Sequence, residues 1–518
     1  MRWPRAGRAA LRLALCLLLA PAGADKAKKK QRLVGGVGAW APSKPPLPPA
    51  PPPPPPELPP FVQVRGSALT VDGHAAWRYV GANVYWLLAE AAAGRLDHVR
   101  RILDDCQQLG LTVVRTWAFP EDSGRVVTHP RPGAAADDDH VPRALDFVVY
   151  EAGKRGLRLV LPLLSYWDDM GGGGLRALQQ QCLDARGAAA ADDDRRGGYA
   201  HSWQPTGDEC PRFYSEPRCV ALYLERAGEL LHRQNHLTGL RYKDDPTIAV
   251  WELCASCRCR TPELPTPGAP RELPLHVWVA TVAPMVKRLA PRQLVAQGGD
   301  GFYFGQATSS VHDPDGGLGR AEATWRNPQP DHDRGWFVHE GVDFLRSGAV
   351  DAIDVLGYHM HLQDWAPEAD FVARKDFARR WVAQHDHDAA TLGKPVVLGE
   401  FSVAMDAGGA GAHAHAHAQR DEMYDLVLAT VLGAPHHAGV HFWQLTLPGV
   451  AGCCDRALVP GRASDFPLLS SIGAAARSLV APPPPPAPSP PPPPPLTNLP
   501  RPPPAPLPWN TGGVCPFS

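Results

Sequence analysis

The feature of this sequence that most limits its fold is a series of apolar runs that alternate with segments of helical periodicity. The apolar runs are 79–83, 111–117, 157–164, 248–253, 294–297, 355–359, 395–400 and 440–444. Apolar residues recur at helical spacing in 96–109, 144–155, 223–234, 277–289, 371–383 and 422–432. Strands that read as continuous apolar runs are typical of a parallel sheet covered on both faces. The pattern therefore predicts the α/β class, as a (β/α)8 TIM barrel.

Proline-rich segments flank this predicted barrel. Residues 42–60 and 482–508 are dominated by proline, which forms extended polyproline II and cannot build a core. They could tie the protein into an extracellular matrix, and a plain spacer is the alternative.

The N-terminus has the pattern of a secretory leader. Four arginines, the apolar run 13–20 and Ala-Gly-Ala at 22–24 predict a cleaved signal peptide, and the run is too short to cross a bilayer. We therefore expect a signal peptide at 1–24, a proline-rich linker at 25–60, the barrel domain at 61–480 and a proline-rich tail at 481–518. The expected location is secreted, either extracellular or in a cell wall.

Charge and cysteine content narrow the class of partner. The formal net charge is −1, so no basic surface argues for nucleic acid, and no other apolar run reaches membrane-spanning length. Eleven cysteines, with Cys16 in the leader, are compatible with disulfides whose pairing the sequence cannot give. The His-Ala alternation at 413–417 could bind a metal, but in a Gly/Ala-rich insert it is more typical of a solvated loop. We expect no metal and no cofactor.

Aromatic and charged residues follow the predicted strands, where barrel enzymes carry their active sites. Aromatic rings offer flat apolar faces to sugars, while arginine, histidine and glutamate supply charge and hydrogen bonds. The residues at these strand ends are Asn83, Tyr85, Trp86, Arg115, Thr116, Trp117, Trp167, Asp168, His359, His361, Glu400, Trp443 and Gln444. Their joint occurrence predicts a carbohydrate site.

The segments that hold these residues resemble the plant-type endo-β-1,4-mannanases of glycoside hydrolase family 5. The matching segments are FVQVRGSALTVDG, GANVYWLL, VVRTWAF, YKDDPTIAVWEL, GKPVVLGEF and FWQL, together with the Trp-Asp pair at 167–168. The resemblance extends from residue 61 to about 475. It implies retaining hydrolysis of internal β-1,4-mannosidic bonds in mannan, glucomannan or galactomannan, by two carboxyl groups roughly 5–5.5 Å apart.

The resemblance also implies roles for individual residues. Glu400 would be the nucleophile, Arg115 would orient it, His359 would line the same subsite, and Trp443 would lie beneath the sugar at the cleavage point. Further substrate contacts implied by the matching segments are Trp86, Trp117 and Trp167.

The sequence departs from the family at the second catalytic carboxyl group. The family's segment after the fourth strand ends Trp-Glu-Leu-x-Asn-Glu-Pro-Arg-Cys, and its Glu after Asn is the acid/base. Here Ala255 stands in place of that Asn, Ser256 in place of that Glu, and His361 in place of a Tyr that hydrogen-bonds the nucleophile. A serine hydroxyl does not serve as acid or base near neutral pH, and loss of a positioned acid/base costs on the order of 10²–10⁴ in rate.

Three interpretations follow from this departure. The first is a working secreted mannanase, in which another group compensates or the transcript encodes a different segment here. The second is a catalytically impaired carbohydrate-binding protein on the same barrel, and the third is a structural wall component. Glu252 is interpreted as a buried barrel group, and Glu263 could swing over the cleft from its loop. The CxxCxC spacing at 254–259 favours disulfides over a metal site.

Overall fold

The structure is a computed structural model that describes residues 58–73, 75–119, 139–167, 174–183, 212–260, 273–304, 337, 340–365, 369–405, 410–450 and 456–479. The chain divides into two units, Met1–Glu57 and Leu58–Ser518, and the described residues all belong to the second. The predicted leader, residues 25–57 of the linker, the predicted tail, Asp168 and Glu263 lie outside the described residues.

A small antiparallel sheet precedes the barrel in the chain. It comprises β1 (Val62–Arg65), β2 (Ala68–Val71) and the short β3 (Ala75–Ala76), in the order β1-β2-β3. Val62 and Leu69 of this sheet pack against the first residues of several barrel strands, including Tyr79 and Val113. The hairpin thereby covers the N-terminal end of the barrel.

Within the described residues, eight parallel strands form the barrel. They are β4 (Tyr79–Asn83), β5 (Val113–Arg115), β6 (Arg158–Pro162), β7 (Ile248–Glu252), β8 (Leu294–Ala296), β9 (Leu356–Met360), β10 (Val396–Phe401) and β11 (His437–Phe442). Their order is β8-β7-β6-β5-β4-β11-β10-β9, and a parallel bridge from Ala296 to Val355 links the two edge strands. The predicted (β/α)8 barrel is confirmed.

Helices surround this sheet and bury their apolar faces against it. Those described are α1 (Leu87–Ala92), α2 (Leu96–Leu109), α3 (His140–Lys154), α4 (Leu175–Cys182), α5 (Pro217–His232), α6 (Pro274–Leu289), α7 (Phe344–Gly348), α8 (Leu362–Trp365), α9 (Phe371–Leu392), α10 (Ala410–Gly433) and α11 (Phe466–Leu479). The bounds of α2 agree with the sequence prediction. Helix α5 begins six residues before the predicted start, with Pro217 in its first turn, where proline is tolerated. None of the described helices is long and apolar enough to cross a membrane.

The prediction of a solvated loop for the His-Ala run at 413–417 is wrong. The run lies inside α10, which begins at Ala410 and continues to Gly433. Alanine has the highest helix propensity of the amino acids, and the run alternates alanine with histidine without proline. The local composition therefore favours extension of the helix through the insert.

A partly buried group of hydrogen-bonded side chains connects α9 to the start of β11. Asp386 accepts hydrogen bonds from the backbone N–H and Nδ1 of His436 and contacts Nδ1 of His437 at 3.0 Å. Nε2 of His437 in turn lies 2.9 Å from the Tyr358 hydroxyl on β9. Burial alone would raise the pKa of Asp386, but these contacts with His437 and His436 lower it to about 2.

This lowered pKa predicts a loss of stability in acid. A carboxylate with a depressed native-state pKa stabilises the fold above its ordinary pKa, and that contribution disappears as pH falls toward about 2. Asp386→Asn should therefore lower the free energy of unfolding at neutral pH, and the difference from wild type should shrink between about pH 4 and pH 2. Urea denaturation at several pH values measures it. Asp97→Asn, at a side chain that is 93% exposed, is the matched control and should show no such narrowing. A pH-independent difference for Asp386→Asn would contradict the assignment.

Candidate active site

A buried arginine organises the C-terminal ends of the barrel strands. Arg115, the last residue of β5, donates from Nη1 to Oε1 of Glu400 at 2.5 Å and from Nε to Oε2 of Glu252 at 2.8 Å. Nη1 also donates to Oδ1 of Asn83 at 2.9 Å, and the Asn83 amide donates to the carbonyl of Gly399. The guanidinium group therefore fixes the carboxylate of Glu400 from one side.

Glu400 is held in its ionised form. It lies on β10 opposite His359 of β9, and its side chain is only 7% exposed. Burial alone would raise the pKa of Glu400, but the nearby charges of His359 and Arg115 and the hydrogen bond from His361 lower it to about 2. An ionised carboxylate at this position has the chemistry of a nucleophile.

Two histidines line the other side of Glu400. Nε2 of His361 lies 3.2 Å from Oε2 of Glu400, and Nδ1 of His361 lies 3.2 Å from the Ser402 hydroxyl. Nε2 of His359 lies 3.7 Å from Oε1 of Glu400, while its Nδ1 lies 3.1 Å from Oδ1 of Asp300. Each ring is thus anchored through Nδ1 and presents Nε2 to the same carboxylate.

Asp300 connects this histidine to a second buried ionic group. It follows β8 by four residues and accepts a hydrogen bond from Nε of Arg258 at 2.7 Å. Burial alone would raise the pKa of Asp300, but Arg258 and the bond to His359 hold it well below its usual range. Arg258 also lies 3.5 Å from Glu340, whose pKa is raised by burial. Because Asp300 is ionised, we assign the Nδ1 proton of His359 to this hydrogen bond.

Ser256 lies in a tight loop directly after β7. Cys254 and Cys257 form a disulfide across it, and Ser256 has a φ of 54°, in the left-handed region. The backbone N–H of Ser256 donates to the carbonyl of Gly298 at 2.8 Å. A side chain on Gly298 would collide with the Cys254 carbonyl, so this close approach requires glycine. The CxxCxC spacing at 254–259 predicts disulfides rather than a metal site, and the Cys254–Cys257 disulfide agrees with that prediction.

The Ser256 hydroxyl contacts this group of charged residues through His359. Its Oγ lies 3.2 Å from Nδ1 of His359, the nitrogen that also contacts Asp300. A Ser-His-Asp triad uses the two different ring nitrogens, so these three residues do not form one. The Ser256 hydroxyl and Glu400 thus contact different nitrogens of the same His359 ring.

An aromatic cluster lies beside these ionic groups. Trp117, Phe119, Ala255 and Trp443 pack together, and Tyr85 stacks on Trp443 with ring centroids 5.4 Å apart and an interplanar angle of 3°. Arg115 lies over the Trp117 ring at 5.2 Å. Ala255 therefore supplies an apolar contact to the cluster, where an asparagine amide would need a hydrogen-bond partner.

The structure separates the predicted site residues into two groups. Arg115, Ser256, His359, His361 and Glu400 form one contact network, and Trp117, Ala255 and Trp443 form the adjacent aromatic cluster. Trp86 belongs instead to the main hydrophobic core, where its indole N–H donates to the Leu445 carbonyl. Trp167 lies apart from the aromatic cluster, beneath the guanidinium of Arg258 at 5.0 Å. All the predicted sugar contacts, including those of Trp86 and Trp167, stay predictions.

Several residues of this network were not predicted from the sequence. Asp300 and Ser402 contact the two histidines, and Arg258 contacts Asp300. Tyr85, which the sequence placed at the end of the first strand, supplies the ring that stacks on Trp443. Asp300 had a detectable signal, because it is the first carboxylate after the fifth predicted strand and barrel sites lie at such ends.

Comparisons with known proteins agree with this geometry. The family model described as "GH family 5 beta-mannosidase-like" matches residues 59–315. Mannan endo-1,4-beta-mannosidase 8 of Oryza sativa subsp. japonica is 32% identical over 333 residues, covering 63% of this chain and 76% of that protein. Mannan endo-1,4-beta-mannosidase 7 of Arabidopsis thaliana is 27% identical over 399 residues, covering 75% and 79%.

The fold of a solved structure is also similar. The endo-1,4-beta-mannanase from Rhizomucor miehei superposes with a TM-score of 0.58 at 21% identity, covering 81% of this chain and 99% of that chain. The barrel, the strand-end residues and the sequence similarity to the rice protein lead to one conclusion. This chain belongs to the mannan endo-1,4-β-mannosidases of glycoside hydrolase family 5.

Proposed function

We propose that this protein is a retaining glycoside hydrolase that cleaves internal β-1,4-mannosidic bonds in mannan, glucomannan or galactomannan. The observation that carries the proposal is the ionised Glu400, held by Arg115 and His361 at the C-terminal end of β10. The family relationship supports the substrate class. Trp443, stacked on Tyr85 beside this carboxylate, supports a sugar-binding platform.

In the first chemical step, an oxygen of Glu400 bonds to the anomeric carbon while the glycosidic bond breaks. The departing oxygen then needs a proton, because an alkoxide is a poor leaving group. In the second step water displaces Glu400 and must lose a proton to a base. Arg115 and His361 stabilise Glu400 as the anion that attacks and later departs.

We assign the acid/base position to Ser256, so neither proton transfer has a carboxyl group there. Three of the carboxylates described around the cluster are engaged by arginine: Glu252 by Arg115, and Asp300 and Glu340 by Arg258. The proposed enzyme should therefore be limited by the protonation of its leaving group. Hydrolysis of mannan should be slow, and hydrolysis of substrates with good leaving groups much less affected.

This assignment predicts a specific pattern of rates. An activated aryl β-mannobioside should form a glycosyl-enzyme without an acid, because its phenolate leaves unprotonated. Azide should then accelerate turnover and yield a glycosyl azide, since an anion needs no general base. Steady-state kinetics with and without azide, with product analysis, measure this. Rapid hydrolysis of mannan that azide does not affect would contradict the assignment of Ser256.

A second prediction concerns restoration of the carboxyl group. Ser256→Glu should raise the rate on mannan, toward the roughly 10²- to 10⁴-fold that a positioned acid/base contributes. Ser256→Gln has the same size and no ionisable group, so it should give no increase and serves as the matched control. Both variants keep the left-handed backbone of residue 256, so circular dichroism should show equal folding. Equal rates for the Glu and Gln variants would show that a carboxyl group here does not reach the leaving oxygen.

A specific observation also favours mannan binding as a second candidate function. Tyr85, Trp117 and Trp443 pack together beside the site, although Ser256 lacks a carboxyl group. Sugar stacking depends on those rings and not on the acid/base. Calorimetry with mannohexaose and the Glu400→Gln variant tests binding without turnover, and absence of binding would remove this candidate.

We also propose that the protein is secreted and acts outside the cell or in a cell wall. The leader pattern at 1–24 supports this, as do the disulfides Cys182–Cys219 and Cys254–Cys257, which are typical of oxidising compartments. The proposed domain bounds are a linker at 25–60, a barrel at 61–480 and a tail at 481–518. Mass spectrometry of the native protein from culture medium should find an N-terminus near residue 25 and report hydroxylated prolines if the segments contact the matrix. Retention of the first 24 residues in a cell-internal protein would contradict secretion.

A further inference from the structure

Three groups that bind metal ions well converge where β9 and β10 end. In His359, His361 and Glu400, one ligand atom of each residue lies within 4.8 Å of the other two. Nε2 of His361 lies 3.2 Å from Oε2 of Glu400, and Nε2 of His359 lies 3.7 Å from Oε1 of the same carboxylate. Ligand atoms around a tetrahedral zinc ion, each about 2.0–2.2 Å from the metal, lie roughly 3.4 Å from one another. The two histidine-carboxylate distances bracket this value.

The imidazole rings are oriented as metal ligands require. His359 uses Nδ1 for Asp300 and His361 uses Nδ1 for the Ser402 hydroxyl, which leaves Nε2 of both rings directed at Glu400. A carboxylate on the far nitrogen of a ligating histidine fixes the ring and raises its basicity, and such partners are usual in metal sites. The outer contacts of a zinc site are therefore present around this cluster.

The local charge also favours a cation. Four buried carboxylates, from Glu252, Asp300, Glu340 and Glu400, contact two buried guanidinium groups, Arg115 and Arg258. Arg260 also lies 3.6 Å from Glu340, so four carboxylates contact three guanidinium groups in this network. Arg115 occupies Oε1 of Glu400 and His361 approaches Oε2, so an ion can share the carboxylate with the arginine.

We propose that His359, His361 and Glu400 form a binding site for a divalent transition-metal ion, with zinc as the best match. A His2Glu set is a known zinc ligand set and leaves a fourth position for water. The two histidines are two residues apart at a strand end, so their side chains leave the same face of the sheet. His361 creates the site, because the tyrosine of related enzymes has no comparable neutral nitrogen ligand.

The site opens toward the cleft through His361, whose side chain is 18% exposed. A bound ion would occupy the carboxylate oxygens that the proposed function assigns to attack on the sugar. Metal and glycosyl group would then exclude each other, a consequence that rests on the proposed function. Binding of the metal itself does not depend on it.

The test is metal binding by the full chain without a histidine tag. Zinc calorimetry should find one site, and cobalt(II) should give the visible absorption of a four- or five-coordinate ion. His361→Tyr removes a proposed metal ligand. It should therefore weaken zinc binding by at least the roughly 10- to 100-fold that loss of a ligand's hydrogen-bond partner costs. Ser402→Ala should weaken it less. Circular dichroism and thermal unfolding report whether each variant is folded.

Two controls keep the test specific. His232→Gln, in an exposed position at the end of α5, should leave binding unchanged. A variant with His413, His415 and His417 all changed to Gln should also retain the site, because that run lies on α10. Unchanged zinc binding in His361→Tyr, or loss of binding in the triple variant, would overturn the proposal.

Discussion

The rest of the site depends on one buried guanidinium group. Arg115 has no exposed surface and joins Glu252 of β7, Asn83 of β4 and Glu400 of β10. A buried charge is stable only when it is paired and hydrogen-bonded, and removal of one partner of such a pair typically costs about 3–5 kcal/mol. The barrel therefore needs the carboxylates of Glu252 and Glu400 for its stability. Of these two, Glu400 is the one that also lies beside His359 and His361. The same ion pairs hold the barrel strands together and keep Glu400, the proposed nucleophile, in its ionised form.

The sequence was sufficient for the barrel and for the residues that project from its strand ends. Strand periodicity located β4 to β11, and the positions of Arg115, His359 and Glu400 followed from the rule that barrel sites lie at C-terminal ends. It was insufficient where the partner of a residue is distant in the chain. The contact of Asp300 with His359 and the stacking of Tyr85 on Trp443 depend on loop conformation, which no periodicity encodes.

Two of the three departures from the family, Ser256 and His361, meet at His359 and Glu400. The Ser256 hydroxyl contacts Nδ1 of His359, and Nε2 of His361 contacts Oε2 of Glu400. In the proposed account, Ser256 leaves the cleft without a proton donor, and His361 adds a nitrogen ligand to it. The backbone around Ser256 remains closely defined by the Cys254–Cys257 disulfide and by the contact with Gly298. The proposed change is therefore one of side-chain chemistry, on a backbone that stays anchored to the barrel.

The most direct test of Glu400 as the nucleophile is to trap the glycosyl-enzyme. An aryl β-mannoside with a good leaving group and fluorine at its 2-position slows the second step, so that the covalent sugar accumulates. Mass spectrometry of the intact protein and of its peptides should find one added fluoromannosyl group, on Glu400. Glu400→Gln should take up none. An unmodified protein, or a sugar on any other residue, would contradict the assignment of Glu400 as the nucleophile.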